Sequence, residues 1–310
     1  MKKIPPAWFL FFFAPLTVEY VSGSSPYLNP FVLLGNLLLY GAGTILIREL
    51  KVRWRKGWLA VFILAVAYVI AEEGLMLNTL FDPTKNTAGR VWGVNWVWTA
   101  GMLVVHSLMS IFVPILLAEA IYDQKANEPW VKTGTSFVLL ALFSANVFGL
   151  GRLIAPTNRP GALYYLVELA IIGACLWLAN HAPAPRLAAS ETKTGRSPLW
   201  LYVASLSGTT ATMVAGFAAP ALPVPPIAKV AIMMTAYAAF LGLLHHNRAF
   251  DLGLDPLSKF AVASGIISFW ILVSPLTSFG KRNVGPVAFA LLVAGILASM
   301  HKRLKKGLAV

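Results

Sequence analysis

Ten stretches of mainly apolar residues divide this chain, each close to the length a helix needs to cross a ~30 Å hydrocarbon core. They cover 7–22, 30–49, 57–78, 94–121, 134–154, 162–180, 199–219, 227–244, 258–278 and 286–301. Polar or turn-forming segments separate them, such as Ser22-Gly23-Ser24-Ser25-Pro26, the charged stretch Asp123 to Lys132, and Pro220 to Pro226. A water-soluble fold of 310 residues has no means of covering so much apolar surface. Charged residues make up 12% here, against roughly 25% in a soluble domain. Hydrophobic residues make up 58% and mean hydropathy is +0.71, which also excludes disorder. Cys175 is the single cysteine, so no disulfide scaffold is possible. The expected fold is an all-α polytopic transmembrane helix bundle of about ten helices.

Charge orients that bundle. Lys and Arg outnumber Asp and Glu by 25 to 12. In a membrane protein the first reading of such an excess is topology, because basic loops stay cytoplasmic; no nucleic-acid partner is expected. With the N-terminus inside, 18 cations fall on the cytoplasmic side, including Arg48, Lys51, Arg53, Arg55, Lys56 and the Lys302-to-Lys306 tail. Seven fall outside: Lys85, Arg90, Arg152, Arg159, Lys229, Lys281 and Arg282. Both termini are therefore expected in the cytoplasm, with the basic face against anionic lipid. The expected location is the cell membrane, as a multi-pass protein of a bacterial inner membrane. Met1-Lys2-Lys3 before an apolar run also has the form of a signal peptide. Cleavage near Ser22 to Ser24 would leave nine helices, but Glu19 and the lack of an A-x-A site favour an uncleaved first helix.

The acidic residues are unevenly spread, and no internal repeat of the inverted-transporter kind is evident. Nine acids lie in 1–180, whereas Glu191, Asp251 and Asp255 are the three beyond. The expected organisation is a half at 1–181 that carries the embedded ionisable groups, a cytoplasmic linker at 182–198, and a packing half at 199–310 with a basic tail. Gly, Ala and Ser in the later spans suit close helix contacts in lipid.

An ionisable side chain in hydrocarbon costs roughly 2.5–3.5 kcal/mol on insertion scales, so it faces a cavity or a partner. Glu72 and Glu73 lie late in the third span. Neighbours on a helix point ~100° apart, so one carboxylate is expected toward a cavity and the other toward a neighbouring helix. His106 lies near the middle of the fourth span, with Ser110 four residues on along the same face. The two spans are consecutive, so this His and the Glu pair are expected at one membrane level. Arg152 is the expected partner of Glu168, and Glu49 and Glu119 are expected to form a polar knot with Arg48 toward the inner face. His181, His245, His246 and His301 fall at cytoplasmic ends, away from the Glu pair. Trp92, Trp96 and Trp98 read as interfacial anchors. No phosphate loop, H-E-x-x-H, G-x-S-x-G or CxxC is present.

Glu-Glu on one membrane helix and His on the next, within 72–110, resembles the CAAX-protease and bacteriocin-processing family of intramembrane peptidases. The family's EExxxR motif is here Glu72 to Leu77, with leucine in the arginine position. Its FxxxH is Met102 to His106 without the phenylalanine, and its HxxxN is absent. Elsewhere the N-terminal half resembles bacterial integral-membrane proteins without an assigned activity. The peptidase resemblance implies that Glu72 or Glu73 and His106 polarise a water that attacks a peptide carbonyl.

Three functions follow. As a hydrolase, Glu72 or Glu73 is the general base, His106 a second base or metal ligand, and Ser110 orients His106. A divalent metal such as zinc needs three or four N or O ligands, for which Glu72, Glu73, His106 and Glu19 are the candidates. As a proton-coupled transporter or channel, the same residues form a relay with a continuous polar path to Glu119 and Glu49. As a scaffold, every embedded charge is simply paired. The sequence does not specify a substrate.

Overall fold

The computed structural model describes residues 4–26, 29–82, 89–150, 153, 160–184, 196–250 and 254–307. It is helical throughout, apart from a two-stranded antiparallel hairpin, β1 (Arg90–Val91) and β2 (Val94–Asn95). The first helix, α1, is Pro6–Pro15 and continues as a π-helix over Leu16–Tyr20. It is followed by α2 (Pro30–Arg53), α3 (Trp58–Met76), α4 (Trp96–Ile121), α5 (Thr133–Leu150) and α6 (Ala162–His181). The second half holds α7 (Pro198–Ala221), α8 (Pro226–His246), α9 (Pro256–Lys281) and α10 (Gly285–Lys305). Among the described residues, nine helices are long and apolar enough to cross a membrane. The first is the shortest, with a 10-residue α segment and a 5-residue π segment. All ten expected spans are helices, with edges shifted by a few residues. Most of the expected 182–198 linker (185–195), and the cations Lys85, Arg152 and Arg159, lie outside the described residues.

Helix starts follow from local chemistry. Six helices carry Pro at the first or second position, where the missing N–H has no intrahelical acceptor to lose. Asn29, Ser197 and Asp255 cap three of those starts by accepting from backbone N–H groups.

Burial sorts the helices into layers. In α4, Leu108 to Ala118 is fully enclosed, and in α9 Phe260 to Ile267 is buried. In contrast, α5 and α6 present Phe137, Leu140, Leu163, Leu166 and Trp177 outward, as helices facing lipid do. The crossing of α7 and α9 depends on Gly265. A Cβ there would sit 2.5 Å from the Tyr202 carbonyl oxygen and 2.8 Å from Ser205 Cβ. Small residues permit such close backbone approach between membrane helices. Gly265→Ala should therefore cost about 1–3 kcal/mol through overpacking, read as a lower Tm in detergent; an unchanged Tm would mean that α7 and α9 do not touch at this point.

The ends of the bundle are tied by polar contacts. Arg48 is fully buried near the end of α2. Its guanidinium donates to Glu49 at 2.9 Å and to the carbonyls of Glu128 (2.6 Å), Lys125 (3.0 Å) and Ala126 (2.7 Å). Its Cζ lies 3.7 Å from the Trp130 ring centroid. Beside it Lys51 Nζ donates to both Glu119 oxygens, at 2.9 and 2.7 Å. The expected Arg48–Glu49–Glu119 knot is thus present, and it pins the loop between α4 and α5. At the opposite end Arg90 donates to the carbonyls of Phe81, Asp82 and Gly93. Tyr165 donates to Asn78 Oδ1 at 3.0 Å, holding α6 against the segment after α3.

Candidate functional site

Among the described residues, five of the helices contain a π-helical turn, and these turns meet. They are Leu16–Tyr20 in α1, Leu37–Gly41 in α2, Ile70–Met76 in α3, His106–Phe112 in α4 and Asn146–Leu150 in α5. π-Helix accounts for well under 1% of residues in ordinary proteins and is frequent at functional sites. Here each turn carries a buried polar side chain: Glu19, Tyr40, Glu72 with Glu73, His106 with Ser110, and Asn146. A π turn disturbs the regular carbonyl pairing of a helix, and in lipid those groups need partners within the protein. Neighbouring side chains supply them in α4. Thr17 Oγ1 donates to the Met109 carbonyl and Thr44 Oγ1 to the Ser110 carbonyl, each at 2.9 Å. Asn146 Nδ2 likewise donates to the Gly35 carbonyl of α2 at 3.0 Å.

The imidazole of His106 lies between the two glutamates. Its Nε2 is 3.2 Å from Glu73 Oε1, and its Nδ1 is 3.3 Å from Glu72 Oε2. Nδ1 also hydrogen-bonds Ser110 Oγ at 2.8 Å, as the one-turn spacing predicts. The expectation that one carboxylate turns away is therefore corrected, since both clasp the same ring. The π turn over Ile70–Met76 departs from the 100° spacing on which that expectation rested.

The two carboxylates are not equivalent. Glu73 Oε2 accepts from Thr79 Oγ1, and from Trp98 Nε1 at 3.4 Å, so both of its oxygens are occupied. Glu72 Oε1 accepts from the Tyr40 hydroxyl, while Oε2 is buried against His106 Nδ1. The Tyr68 hydroxyl, one helical turn before Glu72, is buried beside the same carboxylate. Tyr40 touches Glu19 as well, at 2.7 Å from Oε1, and its ring stacks on His106 with centroids 6.2 Å apart. Ser25 closes the outer edge by donating to the other oxygen of Glu19.

Among known proteins, residues 9–309 match the model of an uncharacterized membrane protein family. The chain belongs to that family. No curated protein matches it, and no solved structure does. The match covers almost the whole chain and brings no likeness to the intramembrane peptidases. It agrees with the architecture, a multi-pass membrane protein.

Three of the four residues named as metal candidates come together. Glu72, Glu73 and His106 each offer one ligand atom, all within 4.8 Å of one another. Glu19 stands outside that set, joined to Glu72 through the Tyr40 hydroxyl. Two carboxylates and an imidazole form a donor set that suits zinc or a related divalent ion with a position left open. Glu168 is buried against α3, where its carboxyl group fills the space a side chain at Gly74 would take; its expected partner Arg152 lies outside the described residues. The other histidines lie elsewhere: His181 contacts the Trp177 carbonyl and His301 packs on Phe260.

Tyr40, Thr79 and Trp98 are site residues that motif reading misses. Trp98 was expected as an interfacial anchor, yet its indole N–H reaches Glu73. Tyr40 left one usable signal, a phenol inside an apolar span, which needs a partner for its hydroxyl. Between the clasp and the Arg48 knot lie fully buried Leu64, Leu108, Ile111, Phe112 and Ile115. Thr44 is the polar residue of α2 between them, and its hydroxyl is already used on Ser110.

Proposed function

We propose that this protein is an intramembrane hydrolase whose reacting groups are Glu72, Glu73 and His106. One observation carries the reading: an imidazole held between two carboxylates at 3.2 and 3.3 Å, inside the lipid-spanning core. Three costly groups in one place point to chemistry more than to packing. In this scheme Glu72 Oε2, the oxygen beside His106 Nδ1, accepts a proton from a water as the water oxygen bonds to a substrate carbonyl carbon. His106 passes a proton to the leaving group as the scissile bond breaks. Glu73, held by Thr79 and Trp98, fixes the ring, and Ser110 holds Nδ1. A divalent ion held by Glu72, Glu73 and His106 would supply Lewis-acid polarisation at the same place. The local likeness of 72–110 to the intramembrane peptidases supports the same roles. In this reading the protein lies in the cell membrane, with its basic end toward the cytoplasm and anionic lipid.

Proton-coupled transport has less support, because an apolar layer separates the clasp from the Arg48 knot in this conformation. The deciding experiment assays purified protein against membrane-soluble peptide and ester substrates, beside Glu72→Gln and His106→Ala, with metal content measured in each. Hydrolysis by the wild type that falls at least 100-fold in both variants is the expected outcome. Proton flux in vesicles that needs both residues, with no hydrolysis, would replace this reading with transport.

A further inference from the structure

A cavity of about 210 Å³ lies between α4, α7 and α8, walled by Val97, Trp98, Gly101, Val105, Gly216 and Met233 among others. Its few polar groups are already engaged. The Thr212 hydroxyl donates to its own helix at the Gly208 carbonyl (2.8 Å), and Trp98 Nε1 is directed to Glu73. Nothing in the wall is left to recognise a polar ligand. Two glycines keep the space open: a Cβ on Gly216 would meet nothing within 4 Å, and one on Gly101 would only touch Met233 at 3.5 Å. The rim is apolar and exposed, with Phe217 at 64%, so entry is from lipid. Apolar cavities of ~150 Å³ stay dry and accept a benzene-sized molecule; by proportion this one holds a hydrocarbon segment of about eight carbons. Trp98 is both wall and hydrogen-bond donor to Glu73, so a chain lying here ends beside the His106 clasp.

We propose that this cavity binds the hydrocarbon tail of a single-chain amphiphile, the substrate of the site, and presents its polar end to Glu73 and His106. The inference rests on the hydrolase reading for the word substrate, but the binding can be tested without turnover. The probe is an octanoyl amide with a diazirine near the chain end, photolysed with the full-length protein in nanodiscs and mapped by peptide mass spectrometry. Labelling is expected on the wall at Met102, Val105 and Met233. It should fall at least tenfold in Gly216→Trp, where the new ring fills the open space, while labelling at lipid-facing Leu272 and the Tm stay unchanged. Absence of wall labelling in the wild type would overturn the proposal, as would equal labelling in Gly216→Trp. So would equal labelling by a two-chain phosphatidylcholine probe at the same mole fraction, since bulk lipid would then account for the occupancy. Glu73→Gln separates the two readings: wall labelling retained in this variant, with no hydrolysis found in the wild type, leaves the chain site standing and removes the enzyme.

Discussion

His106→Ala should lose about 3–5 kcal/mol of stability, because it removes the group between two buried carboxylates. Without the ring, Glu72 and Glu73 face each other across a cavity in low dielectric, and neither has a cation in place of His106. The same change should remove hydrolysis by at least 100-fold if His106 carries the proton. The two effects can be separated. Adding Glu72→Gln and Glu73→Gln to His106→Ala takes away the uncompensated charge, so much of the lost stability should return while activity does not. Unfolding of the wild type, His106→Ala and the triple variant in one detergent is the measurement. A His106→Ala protein as stable as the wild type would show that the carboxylates do not depend on the ring.

Arg48→Met should be equally damaging, for a different reason. The guanidinium supplies hydrogen bonds to three loop carbonyls and to Glu49, and it is fully buried. Methionine restores most of the volume but none of the donors. Glu49 then keeps Arg53 at 3.2 Å and the Trp130 N–H at 2.7 Å, and Glu119 keeps Lys51, but the carbonyls of Lys125, Ala126 and Glu128 lose this partner. A loss of about 3–5 kcal/mol is expected, with early proteolysis in the loop between α4 and α5. Cleavage there at the wild-type rate would mean that the loop is held by its apolar contacts.

Much of the candidate site was legible in one dimension. The cost of charge in hydrocarbon marked out Glu72, Glu73 and His106, and helical periodicity paired His106 with Ser110. The same logic grouped Arg48, Glu49 and Glu119. The joint role of the two glutamates was not legible, because ideal α-helical spacing sends adjacent side chains apart. Trp98 was not legible either. A tryptophan near the end of an apolar span anchors at an interface by default, and only the fold shows its N–H directed at Glu73. Tyr40 and Thr79 are polar residues of common type whose role depends on what stands opposite.

The sequence by itself determined that this chain crosses a membrane, about how many times, and which side chains are too costly to be there without a partner. Those properties are local: the length of an apolar run and the transfer cost of a charge do not depend on neighbours in space. Only the tertiary structure decided that five helices take a π turn at one level, that both glutamates grip one imidazole, and that an apolar cavity lies beside them. Each of these arises from packing between distant segments, where a backbone departs from its regular period because Thr17, Thr44 and Asn146 on other helices take up the carbonyls involved.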